Sequence, residues 1–95
     1  MKKILIYGAG GHCVSLVNLI ETNKKFKING IIGRREELNK KILSYKIKYT
    51  DEDLNKLSKI CNNITISITH YKNLKKRDNL FNFLRDKFNI PNIIS

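Results

Sequence analysis

At 95 residues the chain has room for one domain and one core; a domain of this size buries roughly 60–65% of its unfolded surface, which leaves no space for a second catalytic domain. It is 41% hydrophobic and 28% charged, as water-soluble globular chains are, and no apolar run approaches the roughly 18 residues of a membrane span. The net charge of +11 is scattered: Lys (15), Ile (15) and Asn (12), all encoded by A/T-rich codons, dominate the composition, and no five basic residues are consecutive. Charge alone therefore points to neither a nucleic-acid nor a membrane partner. The run Ile4–Tyr7 is too short for a signal peptide and is interrupted by Gly8. Two cysteines, Cys13 and Cys61, without CxxC spacing or paired histidines, support neither a disulfide framework nor a zinc site. The expected setting is cytoplasmic.

In chain order, residues 2–7 read as a buried strand with a continuous apolar run, suited to the middle of a parallel sheet. Gly8-Ala9-Gly10-Gly11 is a tight turn. From His12 to about Thr22 the period becomes helical, with Cys13, Val14, Leu16, Val17 and Ile20 on one stripe. Residues 26–32 form a second strand ending at Gly33, so the first 33 residues make a βαβ unit. Residues 34–41 are polar, a loop with one helical turn; a short strand is expected near 46–49. Thr50-Asp51-Glu52-Asp53 starts a helix, where acidic side chains suit the positive end of the dipole rather than a metal. That helix runs to Cys61 with Leu54, Leu57 and Ile60 inward. Residues 64–69 alternate strictly and mark a strand. Residues 74–89 are helical with Leu74, Leu80, Phe81, Leu84 and Phe88 inward, Pro91 breaks that helix, and 92–95 begin another strand. The order predicts a small α/β, Rossmann-like parallel sheet with helices on both faces. A chain that stops inside a strand-like run is expected to continue in a longer protein.

The chemistry lies in Tyr7-Gly8-Ala9-Gly10-Gly11-His12-Cys13, between a strand and a helix, where a phosphate-binding glycine turn belongs. Gly8 permits a conformation that side-chain-bearing residues resist. Gly10 lets a ligand approach the backbone, and the N–H groups of Gly11 and His12 face the helix N-terminus, where an anion is favoured. His12 is placed to donate to a phosphate or a sugar hydroxyl. Cys13 stands where G-x-G-x-x-G has its third glycine, and reads as packing. The second strand ends in Gly33-Arg34-Arg35, without the usual carboxylate, so an NADP-like reading in which Arg34 holds a 2′-phosphate stays open. His70 follows the alternating strand and reads as loop.

The stretch Ile4 to His12 resembles the N-terminus of the bacterial sugar O-acyltransferases, the sialic acid O-acetyltransferases and UDP-amino-sugar N-acetyltransferases of surface-glycan synthesis, which open with a strand and Y-G-A-[GS]-G-H-G. Cys13 replaces the last glycine. The likeness continues through 46–57, through Ile66-Ser67-Ile68-Thr69 and Arg77, and through 88–94. It implies that residues 1–95 are a single sugar-nucleotide-binding domain, the first of two. The second, a left-handed parallel β-helix of hexapeptide repeats, is absent from these residues, and with it the catalytic base, the acetyl-CoA site and the homotrimer contacts. The resemblance thus implies a UDP- or CMP-sugar ligand at Gly8, Gly10, Gly11, His12, Thr69 and Arg77, with no catalytic residue, no metal and no cofactor on this chain. The alternative is an NAD(P)-binding domain of an oxidoreductase or regulatory protein.

Overall fold

The computed structural model describes residues 2–10, 12–67 and 74–91. Strand β1 spans Lys2–Tyr7, helix α1 His12–Asn23 and strand β2 Phe26–Ile32. These bounds match the sequence reading, because glycines and a clear change of period punctuate both junctions. A 3-10 turn at Arg35–Glu37 leads to β3 (Lys41–Ile42) and β4 (Tyr45–Tyr49). A second 3-10 turn, Asp51–Asp53, opens the four-residue α2 (Leu54–Leu57), followed by β5 (Asn63–Ile66) and α3 (Leu74–Lys87).

The sheet order is β3-β4-β2-β1-β5. Strands β4, β2, β1 and β5 run parallel, and β3 closes one edge as an antiparallel hairpin with β4. Four of the five strands are thus parallel, as predicted, and the short β3 makes the sheet mixed. The apolar run of β1 accounts for its central place: Ile4, Leu5 and Ile6 are all fully buried, which only a strand covered on both faces achieves. Ile4 and Ile6 pack with Cys13, Val17 and Ile20 of α1 on one face. Leu5 packs on the other face with Leu54 and Leu57 of α2 and with Leu84 of α3 and Phe88 just beyond it. Helices cover both faces, as predicted.

In β2, Ile4 pairs with Ile28 but Leu5 pairs with Gly30, so Asn29 forms a bulge. A Cβ on Gly30 would sit 2.6 Å from the Tyr49 ring, and glycine is what lets β4 pack this close. Tyr45 Oη donates to Glu21 Oε2 at 3.3 Å and ties the hairpin to α1.

Three expectations are corrected. The helix predicted to Cys61 ends at Leu57 and continues only as turns, and Ile60 is 59% exposed. Phe81 faces sideways against the Arg85 guanidinium, 6.0 Å from its ring centroid, and joins neither core cluster. Strand β5 begins at Asn63 and ends at Ile66; residues 68–69 lie outside the described residues, as do 92–95 and the orientation of Leu74. Among the described residues no helix is long and apolar enough to cross a membrane.

Candidate functional site

The chain runs from β1 to β2 and β4 on one side of the sheet, and places β5 on the other. The order thus reverses between β1 and β5, and in open α/β sheets the crevice at the carboxyl ends of two such strands is where ligands sit. The glycine turn lies there. Gly8 is buried with φ 103°, a backbone conformation that side-chain-bearing residues rarely adopt. Its N–H donates to Ile32 O on β2 at 2.8 Å. Two residues on, Gly10 O accepts from Cys13 N at 2.9 Å and closes the first turn of α1.

Gly10 is a different kind of glycine. It is exposed, its φ is not positive, and a Cβ built on it would meet nothing within 4 Å. Neither conformation nor packing within the described fold asks for glycine there. The open space beside it faces outward at the N-terminal end of α1, where first-turn N–H groups lack intrahelical partners and an anion is favoured.

His12 is exposed at the start of α1 and, with Ser15, Leu16, Leu19, Ile66 and Ser67, lines a 220 Å³ cleft between α1 and the end of β5. Arg77 lies elsewhere. It is exposed on α3, 3.7 Å from Asp78, and lines a separate 420 Å³ groove with Phe81, Asn82 and Arg85. Gly8, Gly10 and His12 are thus gathered at the start of α1, whereas among the described residues Arg77 lines a different groove from His12. Gly11, Thr69 and His70 lie outside the described residues.

At the carboxyl end of β2, the Arg34 guanidinium stands 3.6 Å from Glu36 and 3.5 Å from Glu37, which offset its charge where a 2′-phosphate would have to bind. Glu37 turns back instead: its Oε1 accepts from Arg34 N at 2.8 Å, placing a carboxylate, 18% exposed, at the end of a strand that seemed to lack one. The acidic trio divides its work. Asp53 Oδ2 accepts from Thr50 N at 3.0 Å, capping the turn. Glu52 pairs with Arg35. Asp51 Oδ1 accepts from Tyr7 Oη at 2.6 Å, linking the end of β4 to the end of β1.

Residues 3–84 match the family described as the PglD N-terminal domain. The chain belongs to that family. No curated protein matches it in sequence. Among solved structures, it is similar to UDP-D-quinovosamine 4-dehydrogenase from Vibrio fischeri, with a TM-score of 0.75 at 22% identity, over 97% of this chain and 80% of that one. It is also similar to a variant of perosamine N-acetyltransferase from Caulobacter crescentus, solved with CoA and GDP-perosamine, with a TM-score of 0.79 at 19% identity. The chain spans 43% of that acetyltransferase and is itself 99% covered. At such identities the likeness is one of fold. The Rossmann-like architecture and the resemblance to the first domain of sugar acyltransferases both hold.

As in the sequence reading, Cys13 of this PglD-type domain packs. It is fully buried, and burial first, then the nearby Glu37 carboxylate, push its thiol from 9.0 up to about 11. A buried neutral thiol is a poor nucleophile. Cys13 should therefore resist a thiol-reactive dye in the folded protein at pH 8 and react once urea unfolds the chain. The sign of the pH effect follows. The folded thiol holds its proton more tightly than the unfolded one, so its stabilising contribution is complete below pH 9.0 and is lost as pH rises through about 11. Urea titrations between those limits should show a smaller decline in Cys13→Ala than in wild type; equal slopes would contradict this assignment.

Glu37 and Ser67 were missed by the sequence reading. Glu37 follows the strand end by five positions, and nothing in Arg34-Arg35-Glu36-Glu37 shows which side chain folds back. Ser67 lies on the polar side of an alternating run, where a serine reads as solvated.

Proposed function

We propose that this chain is a sugar-nucleotide-binding domain, the first domain of a bacterial acetyl-CoA-dependent sugar acetyltransferase of surface-glycan synthesis, with residues 1–95 as a single cytoplasmic unit. The diphosphate of a UDP- or CMP-linked sugar sits at the glycine turn, against the N-terminus of α1, with His12 as a polar contact. The resemblance to the sugar acyltransferases also assigns Thr69 and Arg77 to this ligand, Arg77 from the groove on α3. Acetyl transfer and trimer formation belong to a hexapeptide-repeat domain beyond these residues.

The observation that carries this reading is Gly10. Among the described residues nothing in conformation or packing asks for a glycine at that position, whereas a ligand lying on the backbone does. Membership of the PglD N-terminal domain family and the acetyltransferase relative solved with a nucleotide sugar agree with it. The NADP alternative is disfavoured by the two glutamates beside Arg34.

The test is calorimetry of the chain with UDP-, CMP- and GDP-sugars and with NADPH, on wild type and Gly10→Ala. A Gly→Ala change at an unstrained position stabilises by about 0.4–1 kcal/mol, so Gly10→Ala should fold at least as well as wild type. Its affinity for nucleotide sugars should fall at least about tenfold, because the methyl occupies the diphosphate's approach. No heat from any nucleotide sugar at millimolar concentration, or unchanged affinity in Gly10→Ala, would count against the proposal. NADPH binding lost in Arg34→Ala would favour the alternative.

A further inference from the structure

Ser67 occupies a position where a hydroxyl has a structural effect on the glycine turn. It directly follows β5 and is only 4% exposed. Its backbone N–H donates to Tyr7 O at 2.9 Å, one rung beyond the β1–β5 ladder. Its Oγ lies 2.5 Å from Gly8 O and 3.3 Å from Tyr7 O. A hydroxyl has one proton to give, and the shorter contact takes it. Gly8 is then held from two sides, its N–H by Ile32 of β2 and its carbonyl by Ser67 beyond β5.

The peptide plane turns this contact into a directional device. The Gly8 carbonyl and the Ala9 N–H belong to one rigid trans unit and point in opposite directions. Pinning the carbonyl toward Ser67 therefore fixes where the Ala9 N–H points, and the turn enters α1 in one orientation. A loop ordered before its ligand arrives does not spend binding energy on ordering itself.

We propose that Ser67 is a positioning residue for nucleotide-sugar binding: its hydroxyl locks the Gly8 carbonyl and pre-orients the glycine turn for the diphosphate. The inference rests on the reading of the turn as a nucleotide-sugar site. Ser67 also lines the cleft beside His12, but the effect proposed for its hydroxyl is carried by the Gly8–Ala9 peptide.

The experiment compares wild type, Ser67→Ala and Ser67→Thr in two measurements: calorimetry with UDP-, CMP- and GDP-sugars, and amide exchange at Ala9 in the ligand-free chain by NMR. Ser67→Ala should bind about tenfold more weakly, the scale of one buried hydrogen bond, and its Ala9 amide should exchange faster while Ile4–Ile6 stay as protected as in wild type. Ser67→Thr, which keeps the donor, should restore both. If Ser67→Ala does not fold, Ser67→Cys takes its place, with a weaker donor of similar size. Affinity within about twofold of wild type, or a loss of protection shared equally by β1, would overturn the inference. If wild type binds no nucleotide sugar, the functional reading fails on its own; faster Ala9 exchange in Ser67→Ala would then reveal a lock with no ligand to serve, and the inference falls with it.

Discussion

Gly8→Ala is expected to destabilise the domain by about 1–3 kcal/mol and to abolish nucleotide-sugar binding. The φ of 103° is the cause. A methyl group there could be relieved only by rotating φ to negative values, and that rotation would break the bonds to Ile32 O and from Ser67 Oγ. In a domain of this size, each kcal/mol moves Tm by about 4–8 °C, so thermal unfolding should register the change plainly. The contrast with Gly10→Ala is the informative part. Both substitutions add one methyl to the same turn, yet the first should damage fold and binding together, and the second binding alone. Equal stability of the two variants would contradict the conformational role given to Gly8.

Leu84→Ala is expected to cost about 2–5 kcal/mol, the range for emptying a fully buried leucine site. Against a total stability of about 5–15 kcal/mol, that is a large share. Leu84 is fully buried, and among the described residues α3 brings few other apolar side chains to the sheet: Phe88 just past its end is buried, while Leu80 and Ile90 are only partly so. Residues 75–79, 82, 83, 85 and 86 of the helix are exposed and add little to that packing. Amide exchange should show α3 opening separately from β1 and β2 in Leu84→Ala, and Tm should fall by about 10 °C or more. Phe83→Ala is the control. Phe83 is 44% exposed and touches the Lys87 ammonium rather than the core, and its loss should stay within about 1 kcal/mol. A Leu84→Ala protein as stable as Phe83→Ala would mean that α3 does not pack as described.

The first third of the fold was legible because its signals are local. A buried strand, a glycine turn and a 3.6-residue period each announce themselves over a few residues. The β3–β4 hairpin was not. Two-residue hairpin turns call for positive φ, usually advertised by Asn-Gly or a similar pair. Here Leu43 takes φ 56° and Asn39 takes φ 71°, with no glycine to mark either bend. The helix after Asp53 misled for another reason: Ile60 is three residues past Leu57 and belongs on the same stripe only if the helix continues, which it does not. The run at β5 alternates in sequence, but its polar side is covered too: Thr65 is 7% exposed and Ser67 4%. Neighbours remote in sequence decide such burial. For the same reason the turn could be placed in advance, whereas the bond that holds it, between residues 59 positions apart, could not.

The outer edge of the sheet has a consequence for how this protein behaves at high concentration. An open strand edge is a template on which another chain can add, and proteins guard such edges with short strands and lysines. Here one of the two edges is β3, two residues long, and Lys40, Lys41, Lys46 and Lys48 are all exposed on and beside the hairpin. Two copies approaching edge to edge would find little to pair with and like charges facing each other. Part of the +11 charge thus disfavours self-association along this edge of the sheet.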